Sequence, residues 1–189
     1  MFLLIGLVLW AFDLAANRYI FDALRLTPES LLAPIAASIS TLTGASVLVP
    51  VALLVVAGLL WRRHVHDALW LLLTITTGRL AIEAMKLVFQ VPRPPESGRL
   101  AIVNSWSFPS SHSAGSMLTF LAFAMLVRTQ QRAALTLAIC GACVVGWSRM
   151  ALGVHWPSDV LAGLGFGMLC AGAARDWLLK ARLPSSQIL

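Results

Sequence analysis

Three short segments of this 189-residue chain carry ionisable and hydroxyl side chains at spacings that could do chemistry. In the first, Lys86 precedes Arg93 by seven residues, about two helical turns, and Pro92, Pro94 and Pro95 end any helix there. Two cations so spaced would face one pocket; otherwise Lys86 snorkels and Arg93 caps a loop. The second segment, Phe108-Pro109-Ser110-Ser111-His112-Ser113, precedes an apolar run and has the residues of a helix start. Backbone N–H groups and the hydroxyls of Ser110 and Ser111 would form an anion site there, with His112 placed to give a proton to a leaving oxygen. A bare serine cap beside an interfacial histidine is the plainer alternative. In the third segment, Ser148-Arg149 is followed by His155, Pro157 and Asp159. Pro157 suits the first turn of a helix, which puts Asp159 in that turn, four residues after His155. An acceptor there can hold one imidazole nitrogen as N–H and leave the other bare as a nucleophile, or it can simply favour the helix dipole.

Together the segments supply three cations, two histidines, one carboxylate and a helix start. Such a set suits phosphoryl transfer, because Lys86, Arg93 and Arg149 would neutralise the charge that spreads over the equatorial oxygens in flight. No H-E-x-x-H or clustered-carboxylate pattern competes with it, and the set calls for no metal or cofactor. His64 and His66 lie beside Arg62 and Arg63 and read as solvated loop residues.

Lys86-x6-Arg93-Pro94, Pro109-Ser110-Ser111-His112 and Ser148-Arg149-x5-His155-x3-Asp159 resemble, in order, the three signature motifs of the type 2 phosphatidic acid phosphatase (PAP2) superfamily. The resemblance implies that His155 attacks phosphorus to form a phosphohistidine, Asp159 orients it and His112 protonates the leaving group. It also implies that Lys86, Arg93, Ser110 and Arg149 hold the phosphate. The family's second motif usually has glycine where Ser111 stands; the backbone N–H survives that change. The implied activity is metal-independent hydrolysis of a phosphomonoester or pyrophosphate on a membrane lipid of a bacterial envelope. Candidate lipids are phosphatidylglycerol phosphate, undecaprenyl pyrophosphate, phosphatidic acid and lipid A phosphates. Two alternatives use the same groups: a lipid phosphotransferase and a non-enzymatic carrier of anionic lipid. The related vanadium haloperoxidases are typically soluble, which this composition is not.

The elements that must position these residues are apolar. Hydrophobic residues make up 59% of the chain and charged ones 12%. The mean hydropathy is +0.83. These values indicate a chain whose solvent is largely lipid. The net charge of +6 sits in short clusters between apolar runs, a membrane pattern that excludes nucleic acid as partner. Apolar runs at 2–16, 45–61, 68–89, 114–127, 133–147 and 160–179 predict an all-α, six-helix transmembrane bundle forming one domain over 1–189. Residues 17–43 read as a loop with an interfacial amphipathic helix. The N-terminal run has no basic n-region and reads as a retained helix rather than a cleaved signal.

Arg62, Arg63, Arg128, Arg132, Arg175, Lys180 and Arg182 fall in alternate connections on one side. The positive-inside rule makes that side cytoplasmic, with both termini, and turns 90–113 and His155 outward from a bacterial inner membrane. Cys140 and Cys143 match a redox spacing but lie, like Cys170, in apolar runs, so inert packing is the reading. Gly163 and Gly167 form a small-xxx-small pair suited to close helix contact.

Overall fold

The computed structural model describes residues 1–11 and 15–182. Its elements are all helices: α1 Phe2–Ala11, α2 Ala15–Leu24, α3 Ala33–Leu42, α4 Ala45–Trp61, α5 Val65–Phe89, α6 Ser111–Leu126, α7 Gln131–Ala151 and α8 Pro157–Arg182. Their ends follow from local chemistry. Gln90 takes a left-handed conformation after α5, and the prolines at 92, 94 and 95 prevent its continuation. The Ser110 side chain caps α6 by accepting from the Ser113 N–H. Pro157 opens α8, and Asp159 reaches back to accept the Trp156 N–H at 2.9 Å.

Helix α6 lies at the centre of the bundle, against α5, α7 and α8. The seam between α6 and α8 depends on glycine: a Cβ at Gly163 would come 2.7 Å from the Ser110 carbonyl oxygen, and one at Gly167 would come 2.4 Å from that of Ala114. Gly163 and Gly167 thus serve close packing, as their spacing indicated. Gly6 and Gly165 bring α1 onto α8 in the same manner, against Ala162 and Leu3. Trp70, fully buried, donates its indole N–H to the Ala174 carbonyl at 2.7 Å and ties α5 to α8. Leucines and valines such as Leu80, Leu87, Val88, Leu137 and Leu169 remain exposed on the outer faces, as expected where lipid is the solvent.

Among the described residues, three helices are long and apolar enough to cross a membrane: Val65–Phe89, Gln131–Ala151 and Pro157–Leu178. A fourth is gained if α3 and α4, bent by 42° at their junction, form one broken span. The chain is therefore an all-helical integral membrane protein, but the expected six spans are not all realised by length. The run at 114–127 yields α6, whose 16 residues are bounded by the Ser110 cap and by Val127 and Arg128. The run at 2–16 yields α1, ten residues long and about 15 Å by helical rise, with α2 beginning at Ala15; residues 12–14 lie outside those described. Segment 17–43 holds more helix than expected, since α3 follows α2 and leads directly into α4.

The antiparallel run of α5 to α8 brings four helix ends to one level: the C-termini of α5 and α7 and the N-termini of α6 and α8. At the opposite end Arg128, in the α6–α7 turn, lies 3.8 Å from Asp67 at the start of α5.

Candidate active site

His155 stands in the short link 152–156 between α7 and α8. Gly153 turns that link with φ +70, and two other segments clamp it. The Leu100 N–H donates to Leu152 O and the Leu26 N–H to Ala151 O, both at 2.9 Å. The imidazole is 1% exposed. Its Nδ1 is 3.3 Å from Asp159 Oδ2, and its Nε2 is 2.9 Å from Arg93 Nη1. A guanidinium can only donate, so Nε2 presents a lone pair and the ring proton sits on Nδ1, facing Asp159. Burial first, and then the charges of Arg93, Arg149, Lys86 and His112, hold the imidazole pKa well below the usual value, which keeps the ring neutral.

Asp159 is fully buried and gathers its contacts on one oxygen. Besides facing His155, Oδ2 accepts the Ser107 hydroxyl at 2.5 Å and the Trp156 N–H at 2.9 Å. The same oxygen thus both caps the start of α8 and faces the His155 ring. Asn17, on α2, completes the start of α8: its Oδ1 accepts the Ser158 N–H at 3.0 Å and its Nδ2 donates to Ser158 Oγ at 3.3 Å.

The three cations come from separate elements. Lys86, 3% exposed near the end of α5, donates to Trp106 O at 2.6 Å. Arg93 donates to Ser105 O at 2.6 Å, to Ser105 Oγ at 3.0 Å and to Val154 O at 2.8 Å, fastening loop 90–110 to the His155 link. Burial lowers its pKa to about 10, with Asp159 acting in the opposite sense, so the guanidinium is still charged at neutral pH. Arg149, 3% exposed at the end of α7, donates through Nη1 to Ser40 Oγ on α3, while its buried Nε has no partner among the described residues.

Ser110 is fully buried, and its N–H donates to Asp159 O at 3.0 Å, which joins the second segment to the third. The Ser111 hydroxyl turns the other way and donates to Glu83 Oε1 on α5 at 2.8 Å. His112 is half-buried beside the α3–α4 turn, where a Cβ on Gly44 would sit 3.4 Å from its Nε2. A cleft of about 520 Å³ bounded by Pro92, Arg93, Arg99, Asn104 and Trp106 adjoins Arg93.

The fold therefore brings Lys86, Arg93, Ser110, Ser111, His112, Arg149, His155 and Asp159 to one end of the bundle. Ser107, Ser40, Asn17 and Glu83 complete the network without any motif of their own. The arrangement can present a neutral nitrogen nucleophile to a phosphoryl group held among fixed positive charges.

The family model for the PAP2 superfamily matches residues 67–183, a span that holds all eight expected site residues. The chain is 32% identical over 162 residues to phosphatidylglycerophosphatase B of Bacillus subtilis (strain 168), covering 82% of this chain and 79% of that protein. It is 42% identical over 72 residues to the putative undecaprenyl-diphosphatase YbjG of Escherichia coli (strain K12), covering 38% of this chain and 35% of that protein. The crystal structure of a transmembrane PAP2 type phosphatidylglycerolphosphate phosphatase from Bacillus subtilis is similar in fold, with a TM-score of 0.84 over 96% of this chain and 94% of that one, at 28% identity. With three motifs in order, the geometry that joins them and a family match over most of the helical bundle, the chain belongs to the PAP2 superfamily.

Proposed function

We propose that the chain is a membrane lipid phosphatase working through a phosphohistidine on His155. The observation that carries this reading is the tautomer: Arg93 occupies His155 Nε2 as a donor, which makes that nitrogen the lone-pair atom, while Nδ1 faces Asp159. As a phosphate enters, Arg93 Nη1 turns from Nε2 to a phosphoryl oxygen, and Nε2 bonds to phosphorus. Lys86, Arg93 and Arg149 balance the equatorial oxygens, and the backbone N–H groups at the start of α6 take part of that charge. The bond from phosphorus to the lipid oxygen breaks as His112 passes that oxygen a proton. Water, deprotonated by the same His112, then attacks the phosphohistidine, releasing orthophosphate and restoring Nε2.

Phosphatidylglycerol phosphate is the first lipid to test, because the relative matched over most of its length is a phosphatidylglycerophosphatase. We further place six passages in a bacterial inner membrane, formed by α1, α4, α5, α6, α7 and α8. The site then faces outward and both termini face the cytoplasm, because Arg62, Arg63, Arg128 and Arg132 collect at the end opposite His155. The test is phosphate release in detergent from phosphatidylglycerol phosphate, undecaprenyl pyrophosphate and phosphatidic acid. Turnover should persist in excess EDTA, since the chain supplies its own cations, and vanadate should compete with substrate. Loss of turnover in chelator with recovery on adding Mg²⁺ would refute this mechanism.

A further inference from the structure

One cation near the site has no part in the chemistry above. Arg79 lies on α5 two turns before Lys86, about 15 Å by helical rise from the end of that helix at Phe89. An arginine at that depth in lipid is costly unless it serves something. Its guanidinium is lodged against α6, where a Cβ on Gly115 would come 2.9 Å from Nη2 and 3.1 Å from Nη1, so the missing side chain is what admits it. Among the described residues no carboxylate lies within 4.0 Å of Arg79, and its buried Nε has no hydrogen-bond partner. Glu83, one turn nearer the site, offsets part of the charge only from a distance, since its Oε1 is held by the Ser111 hydroxyl at 2.8 Å.

Gly115 follows His112 by three residues, so the guanidinium sits about 4.5 Å deeper along α6 than the general acid. Its charge acts on His112 more strongly than those of Arg93 and Lys86, and only Arg149 acts more strongly. A lipid bound for attack by His155 keeps its scissile oxygen at His112, while its tails must run from there toward the bilayer centre. The first atoms beyond the scissile oxygen therefore descend along the stretch of α6 that Arg79 covers. In phosphatidic acid those atoms belong to an uncharged diacylglycerol. In phosphatidylglycerol phosphate a phosphodiester stands three carbons beyond the scissile oxygen, and its charge would meet the N–H groups of Arg79.

We propose that Arg79 is a specificity residue that binds the phosphodiester of a lipid whose leaving group carries a second phosphate through a short carbon linker. The inference rests on the roles given above to His155 and His112 and on a lipid substrate. A charge-assisted hydrogen bond of this kind, away from bulk water, is worth about tenfold to a hundredfold in relative kcat/KM.

The test compares kcat/KM for phosphatidylglycerol phosphate and phosphatidic acid of the same acyl chains in detergent. Wild type should prefer the former by about tenfold or more, and Arg79→Gln should lower that ratio about tenfold. Arg79→Lys keeps the charge and should keep the larger part of the preference. An unmoved ratio in Arg79→Gln, including an equal loss on both lipids, overturns the proposal, since a purely structural arginine would lower both alike. Farnesyl diphosphate against farnesyl phosphate is the control. There the second phosphate adjoins the first, so the ratio should hold, and a fall in that ratio alone would overturn the placement below His112. Should Arg79→Gln not fold, wild type decides: equal use of the two glycerolipids, or a preference for phosphatidic acid, overturns the idea. Absence of turnover on all four lipids by wild type would sink the phosphatase reading itself, whereas turnover with an unmoved ratio sinks only the role of Arg79.

Discussion

Replacing Asp159 by asparagine isolates the electrostatic part of its role. Asparagine has the same shape, and its side-chain oxygen can still accept from Ser107 and Trp156, as Oδ2 does now at 2.5 and 2.9 Å. The tautomer of His155 is also preserved, because Arg93 donates to Nε2 from the other side at 2.9 Å. What disappears is the negative charge facing Nδ1, 3.3 Å away. As Nε2 bonds to phosphorus the ring gains positive charge, centred about 4 Å from the carboxylate, and at an effective dielectric near 20 that pair is worth about 4 kcal/mol. The rate of phosphoenzyme formation should therefore fall by about 10³. The assay is rapid quench with labelled substrate, trapping the acid-labile phosphoenzyme in a single turnover. Asp159→Asn should still accumulate it, slowly, whereas His155→Ala should form none. A loss below about tenfold would show that the carboxylate does not stabilise the charged ring, and complete absence of phosphoenzyme would mean that Asp159 has a more direct role than orientation.

The two histidines should separate by leaving group: His112→Ala loses a general acid, about 10² to 10⁴ in rate on an alkyl phosphate, and much less on a nitrophenyl phosphate, while His155→Ala is equally inactive on both. Steady-state kinetics on the two substrates decide it, and rescue of His155→Ala by the better leaving group would exchange the roles. Gly167→Ala puts a Cβ 2.4 Å from the Ala114 carbonyl oxygen, so the α6–α8 seam must open. A loss of about 1 to 3 kcal/mol should appear as a lower Tm in detergent, and an unchanged Tm would refute the packing argument. A cysteine at Asn104 should react with an impermeant thiol reagent in intact cells and one at Gln130 should not; the reverse pattern would invert the proposed orientation.

How much of this was legible in the sequence depends on the range of each interaction. Ser110 could be recognised as a cap because the residues that define a helix start are its chain neighbours. Asp159 could be placed opposite His155 because Pro157 fixes the first turn of α8 and four residues is one turn. The partners that complete the site carry no such local mark. Ser107 meets Asp159 across 52 residues, Ser40 meets Arg149 across 109 and Asn17 meets Ser158 across 141. Serine and asparagine are ordinary in loops and amphipathic helices, so only the tertiary fold distinguishes these three. The same reason hid α3: its apolar content is split by Ser38, Ser40 and Thr41, and Ser40 is polar because it must meet Arg149.

The asymmetry between the two helix starts at the site explains which one can take the phosphate. At α8, Pro157 has no N–H, the Ser158 N–H is taken by Asn17, and the Asp159 and Val160 N–H groups donate to Trp156 O. That start is closed by the protein itself, and Asp159 on top of it would repel an anion. At α6, the Ser113 and Ala114 N–H groups go to Ser110, but those of Ser111 and His112 have no acceptor among the described residues. Open donors and the positive end of the helix dipole therefore coincide at α6 alone. On the proposed mechanism the two ends divide the labour: the start of α8 would fix the tautomer and direction of His155, and the start of α6 would be left free to receive the group that His155 attacks. The glycine usual at position 111 of the motif is dispensable on this account, since the N–H and not the side chain serves the phosphate, and the serine hydroxyl is available to hold Glu83.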